Sequence, residues 1–299
     1  AFRNVHHPTD LESAESARQR LTFDEALTMQ LFLVRRRNEV REEFTRSREI
    51  KERGMLAKFD SRLPFQLTQG QENVWSEIKE DLSRSRPMYR LLQGDVGSGK
   101  TVVALSVILL ALDNGMQSCF MVPTEILAQQ HFQSITELTA GLSFNIALLT
   151  ASVKGAERKK ILAGIASGEI HLLVGTHALI EDAVQFSNLG FVVIDEQHRF
   201  GVEQRGKMWT KNHNPPHILV MTATPIPRTL AMTLYGDLDV SVIDEMPPGR
   251  KPIKTVHYDD GQRLRVFGFM KEQIMKGRQI YVVYPLIEES EKLDYKDLM

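Results

Sequence analysis

Gly94, Asp95, Val96, Gly97, Ser98, Gly99, Lys100 and Thr101 stand between a short apolar run, Tyr89 to Gln93, and a longer one, Val102 to Leu112. The first has the length of a strand, and the second is apolar enough to be a buried helix. Strand, glycine-rich turn and helix in that order are what a phosphate-gripping loop requires. Glycines let successive backbone N–H groups curl around an anion, and the helix start adds its partial positive charge. Lys100 then reaches the outer phosphates and Thr101 is placed to hold a magnesium ion, so the residues point to a bound nucleoside triphosphate.

A second cluster of chemistry lies about a hundred residues on. The apolar run Phe191 to Ile194 delivers Asp195 and Glu196 at a strand end. Unpaired buried carboxylates cost several kcal/mol, so two of them at such a place call for a cationic partner. Beside the phosphate loop, Asp195 is the metal candidate with Thr101, and Glu196 the candidate to orient or deprotonate an attacking water. This reading requires the two clusters, far apart in the chain, to meet at one rim of one sheet.

The elements that must position them are legible as alternation. Tyr89 to Gln93, Ser118 to Pro123, Asn145 to Thr150, His171 to Thr176, Phe191 to Asp195 and Ile218 to Thr222 read as strands, with helical patterns such as Glu125 to Thr139 and Gly155 to Ser167 between several of them. The expected fold is α/β: a mostly parallel, doubly wound sheet with helices on both faces, ligands gathering at the carboxyl ends of its strands. A helical segment, from about Leu11 to Ala57, precedes it. Phe23, Ala26, Leu27, Leu31 and Val34 recur at helical spacing, and Thr22 with Glu25 fits a capping box that would start the main helix. The arginines from Arg35 to Arg48 could touch a phosphate backbone, but the interleaved glutamates favour a solvated helix face.

Met246 to Pro252, rich in proline, forms a punctuated connector and the expected domain boundary. Three parts follow: 1–60, a helical linker; 61–248, a nucleotide-binding domain; and 249–299, the connector with the start of a second α/β unit. That start comprises a strand at Lys254 to Tyr258, a helix at Gln262 to Lys276 and a strand at Gln279 to Pro285. Roughly forty residues cannot supply a typical independent core, so this piece is expected to be poorly anchored unless it packs on the first domain.

Composition excludes several classes. With 42% hydrophobic residues among 299 and a net charge of -1, the chain is globular and its overall field does not announce a polyanionic partner. The single cysteine, Cys119, rules out an intrachain disulfide and fits a reducing cytoplasm. No apolar run approaches bilayer length and no signal peptide is visible, so membrane roles are not expected. No transporter-type signature follows the phosphate loop. The ends read as those of a piece cut from a longer protein.

Asp195-Glu196-Gln197-His198 resembles motif II of superfamily 2 helicases and translocases, and Thr222-Ala223-Thr224-Pro225 resembles their motif III. Pro123-Thr124-Glu125 is similar to motif Ia, Gly175-Thr176-His177 to motif Ib, and Leu63-Pro64-Phe65 with Leu67-Thr68 and Gln71 to the adenine-sensing segment. The long blocks Gly94 to Thr101, Asp195 to Val202, Met221 to Asp237, Pro247 to Arg250 and Tyr281 to Glu289 most resemble the RecG family of bacterial ATP-dependent DNA helicases; transcription-repair coupling translocases share part of this pattern.

The resemblance implies a RecA-like P-loop NTPase core, ATP and Mg2+ as cofactors, and forked or branched DNA, such as stalled forks and Holliday junctions, as partner. It implies a bacterial cytoplasmic, nucleoid-associated setting. It assigns catalysis to Lys100, Asp195, Glu196 and His198, and adenine contact to Phe65 and Gln71. Coupling falls to Thr222, Thr224 and Arg228, and strand contact to Pro123, Thr124, Glu125, Gly175, Thr176 and His177. Thr68 and Gln71 also satisfy the capping-box spacing, so a structural role for Gln71 stays open beside the adenine one. Thr222 and Thr224 could instead be plain strand-end residues, the lesser of the two readings. In the intact family a second domain supplies an arginine to the transition state and an N-terminal domain recognises junctions. The chain by itself is therefore expected to bind nucleotide weakly, hydrolyse it slowly and not unwind DNA. A nucleotide-regulated DNA-binding module without turnover is the remaining alternative.

Overall fold

The computed structural model describes residues 1–42, 54–84, 86–195, 215–224, 238–245 and 253–283. Two compact units divide the chain, residues 1–248 and 249–299. The first contains a seven-stranded sheet: β1 (Tyr89–Gly94), β2 (Gln117–Met121), β3 (Ile146–Leu149), β4 (Leu172–Gly175), β5 (Leu189–Asp195), β6 (His217–Thr222) and β7 (Asp239–Ile243). Their order is β3-β4-β2-β5-β6-β1-β7 and every pairing is parallel.

The helices are α1 (Phe2–His6), α2 (Leu11–Glu42), α3 (Met55–Asp60), α4 (Gln69–Ser83), α5 (Lys100–Asp113), α6 (Glu125–Leu138) and α7 (Gly155–Ser167), with α8 (Arg263–Met275) in the second unit. Side chains alternate across a strand, so each buried strand must be apolar on both sides when both faces are covered. Leu92, Phe120, Val174, Val193 and Leu219 join α3, α4, α5 and α6 in one core. Their neighbours Leu91, Cys119, Leu173, Val192 and Val220 join α7 and the turn at Ala178 to Ile180 in the other. This is the doubly wound sheet expected from the alternation of strands and helices.

One edge of the sheet is fixed by charge. Arg90, on β1, is 8% exposed. Its guanidinium reaches Asp81 through Nε at 2.8 Å and Nη2 at 2.6 Å, and Glu77 and Ser241 through Nη1 at 2.8 and 2.6 Å. Asp81 accepts a further bond from Arg84 at 2.6 Å. Three elements, α4, β1 and β7, are thus tied to one buried cation. Removing one partner of a buried ion pair leaves charge uncompensated and typically costs about 3–5 kcal/mol. Asp81→Ala is expected to lower unfolding free energy by about 3 kcal/mol in urea titration, Glu77 still serving Arg90. Glu80→Ala, at a pair where Glu80 is 70% exposed, should cost less than about 1 kcal/mol. Equal effects would remove the network from its structural role.

Three sequence expectations are corrected. The N-terminal helix begins where its helical pattern does, at Leu11, but Thr22 and Glu25 start nothing: α2 runs unbroken from Leu11 to Glu42, and its start is capped by Asp10, whose Oδ1 accepts from Ser13 N at 2.7 Å. Two of the residues read as its apolar stripe, Phe23 and Leu31, are 56% and 61% exposed, because no other described element covers them. The strands expected at Lys254 to Tyr258 and Gln279 to Pro285 are absent among the described residues 253–259 and 279–283. A strand needs a neighbour to satisfy its backbone, and those residues find none among the described residues, whereas α8 satisfies its own. β7, conversely, was not read from sequence.

Candidate functional site

The parallel sheet sends the ends of β1, β5 and β6 to one rim. The phosphate loop leaves β1 at Gly94 and enters α5 at Lys100. Gly99, the N-cap, has φ 88°, in the left-handed region where only glycine is at ease. With no side-chain oxygen at that cap, nothing local competes with an anion for the first amides of the helix. Lys100 Nζ folds back over the loop, donating to Gly94 O at 2.7 Å and Asp95 O at 3.0 Å. Ser98 Oγ is buried without a hydrogen-bond partner. An orphan hydroxyl of this kind carries a desolvation cost that an incoming phosphate oxygen would offset. Asp95, Val96 and Gly97 are exposed and Thr101 half-buried.

Asp195 ends β5. It is level with Met221 on β6, and Met221 is in turn level with Leu92 on β1, two residues short of the loop. Strands two places apart in a sheet are separated by about 10 Å, within the span of a triphosphate and its cation. Asp195 follows Phe191 and Val193 in alternation, on the face that α5 and α6 cover. The lysine-bearing loop and Asp195 therefore share one rim and one face. Glu196, His198 and Arg228 lie outside the described residues.

Sequence reasoning missed His131, on α6. Its Nε2 stands 3.1 Å from Asp195 Oδ2. The ring lies 4.8 Å from that of Phe120, centroid to centroid. The only signal was a polar residue between Ala128 and Ile135 on the stripe that α6 buries.

Gln71 is 2% exposed. The capping box is formed: Gln71 Oε1 accepts from Thr68 N at 2.9 Å and Thr68 Oγ1 from Gln71 N at 3.3 Å. Its Nε2 also donates to Ser98 O at 2.8 Å, so α4 braces the phosphate loop directly. Phe65 is 47% exposed. The missed strand β7 brings Glu245, whose carboxylate accepts from Gly70 N at 3.1 Å in the first turn of α4.

The strand-contact candidates gather at the neighbouring stretch of the rim, since β2 and β4 pair and Val122 N donates to Gly175 O at 2.9 Å. Thr124 is the N-cap of α6, accepting from Leu127 N at 3.3 Å. Glu125 accepts from Ser152 N at 3.2 Å. Pro123 is half-buried and His177 exposed. A Cβ on Gly175 would stand 2.1 Å from Leu149 O, so backbone packing alone demands glycine there. Thr176 Oγ1 is buried without a partner. Between loop and Asp195, Thr222 Oγ1 accepts from Thr224 N at 3.1 Å, and Thr224 O accepts from Gln93 Nε2 at 3.3 Å. No helix of the described residues is long and apolar enough to cross a membrane.

Residues 68–233 match the family model described as DEAD/DEAH box helicase. The ATP-dependent DNA helicase RecG of Synechocystis sp. is 50% identical over 99% of this chain and 36% of its own length. That of Bacillus subtilis is 48% identical over 99% of this chain and 43% of its own. A solved structure of RecG bound to a three-way DNA junction superposes with a TM-score of 0.84 at 42% identity, covering 96% of this chain and 38% of that one. The chain thus spans about two-fifths of the length of the relatives it matches. DUF1998 helicase MrfA, at 19% identity and a TM-score of 0.56, shares the fold alone.

Proposed function

Because the chain belongs to the DEAD/DEAH box helicase family, we propose that it is the first motor domain of an ATP-dependent DNA helicase that couples ATP hydrolysis to remodelling forked and branched DNA. The parts would be a helical linker at 1–60, a RecA-like ATP-binding domain at 61–248, and the connector and opening of a second motor domain at 249–299. The observation that carries the reading is the shared rim of the phosphate loop and Asp195. The DNA half is supported by 45–50% identity to RecG helicases over nearly the whole chain.

The loop amides of Gly97 to Thr101 orient the phosphates, and Lys100 exchanges its two carbonyl partners for phosphate oxygens. Thr101 and Asp195 would hold Mg2+, a cation that needs only one or two protein oxygens beside phosphate. When bound, the ion neutralises charge developing on the phosphates. Glu196 aligns water and takes its proton. Phe65 and Gln71 face the base, which requires Gln71 to exchange Ser98 O or the cap for adenine. His198, Thr222, Thr224 and Arg228 link the nucleotide to the strand, which Pro123, Thr124, Glu125, Gly175, Thr176 and His177 contact through hydroxyls and backbone without reading bases. The bacterial relatives support a cytoplasmic, nucleoid setting.

Steady-state hydrolysis by the full-length gene product is expected to rise at least about tenfold with forked DNA over linear duplex, an effect of about 1.4 kcal/mol. Stimulation by duplex equal to that by forks would favour a translocase of the transcription-repair coupling type. No turnover with any DNA would leave only a binding module.

A further inference from the structure

We propose that His131 is a positioning residue that holds Asp195 in the rotamer from which it binds the divalent ion. The inference rests on the reading of Asp195 as the metal carboxylate. The terminal torsion of an aspartate is broad and two-fold, so a carboxylate at a strand end can turn either oxygen toward a neighbour. His131 Nε2, at 3.1 Å from Asp195 Oδ2, restricts that torsion.

The imidazole is itself held. Its ring is tilted 38° on Phe120, and Ala128 and Ile135, a turn to either side on α6, are wholly buried. Phe120 is on β2, the strand paired with β5, so the ring that His131 packs on and the carboxylate it faces are mounted on adjacent strands. Polar residues on the buried stripe of a helix are retained where their hydrogen bond is needed. With its proton on Nε2, an imidazole would present one directional N–H to that oxygen, where lysine would bring a full charge beside the ion. Groups that orient metal ligands in this way typically account for 10- to 100-fold in metal affinity.

The test is a Mg2+ titration of fluorescent ATP-analogue binding to the chain, repeated in EDTA, with thermal melts to verify folding. His131→Phe keeps the ring against Phe120 and removes the donor, and should raise the Mg2+ needed for half-maximal binding about tenfold while leaving binding in EDTA unchanged. His131→Gln, whose amide nitrogen reaches about as far as Nε2, should restore the curve to within about twofold of the unsubstituted chain. Should the phenylalanine variant misfold, His131→Met takes its place. An unshifted curve, a loss equally large in EDTA, or a shift that glutamine does not reverse would each overturn the proposal. Asp195→Ala separates the two levels: if it shifts the curve and His131→Phe does not, only the role of His131 falls. If Asp195→Ala leaves the curve in place, the metal reading falls and this inference with it.

Discussion

Replacing Lys100 with alanine is expected to weaken ATP binding by about a hundredfold while the sheet stays folded. The ammonium brings three donors and a full charge, and two of those donors are already engaged over the loop, with Gly94 O and Asp95 O. Binding exchanges these carbonyls for phosphate oxygens. The carbonyl bonds surrendered are matched by the phosphate bonds gained, so the surplus is the attraction of the ammonium for the phosphate charge; a loss of about 3 kcal/mol corresponds to roughly a hundredfold in Kd. Asp95 is exposed, so water can replace the lysine at its carbonyl and little stability is lost. Calorimetry on the chain with Mg-ATP measures the change. Affinity within threefold of the unsubstituted chain would separate the loop from triphosphate binding, and the shared rim would then need another explanation.

The same rim shows what the sequence can and cannot carry. Strands buried on both faces are continuous apolar runs, and glycine-rich turns between such runs and helices have one common use, so six strands and the loop were legible. β7 was not, because an edge strand of five residues with Val242 half exposed has no such run. Thr22 with Glu25 matched a cap as well as Asp10 with Ser13 did; tertiary and local context decided, and a spacing rule has no access to either. The strands expected after residue 253 fail for a related reason. Strand propensity is a preference for a pleated, half-buried surface, and without a neighbour there is no such surface.

Gln71 illustrates a different limit. Its spacing from Thr68 and its place before the phosphate loop support two roles, and the structure displays the cap and a third contact, to Ser98 O. The amide serves two of these at once, one with each end, so it can take up the third only by releasing one of them. His131 was invisible for the opposite reason: its partner Asp195 is 64 residues away, and only the packing of α6 on the face of the sheet, with His131 against Phe120 of β2, brings them together.

The largest effect on turnover is expected from Glu196→Gln in the full-length protein. Glutamine matches the carboxylate in size and keeps an acceptor for water, but it cannot take a proton at neutral pH. A general base contributes about 10²–10⁴ in rate, so kcat should fall by about a thousandfold while Kd for Mg-ATP moves less than twofold. That pattern opposes the one expected at Lys100, where binding is lost first. It also differs from Asp195→Ala, which should be partly masked by raising Mg2+, since its defect lies in holding the ion. Phosphate release at saturating forked DNA, read beside calorimetric binding, resolves the three. Normal hydrolysis by the Glu196→Gln protein would move the base elsewhere. Within the described rim Asp195 would then be the remaining carboxylate of the pair, engaged by His131 and level with the loop strand, and it would have to serve both proton and metal. A carboxylate shared in that way would make turnover pass through a maximum and then fall as Mg2+ is raised, whereas a separate Glu196 would make it rise to a plateau. The two schemes therefore part on the slope of a single magnesium titration.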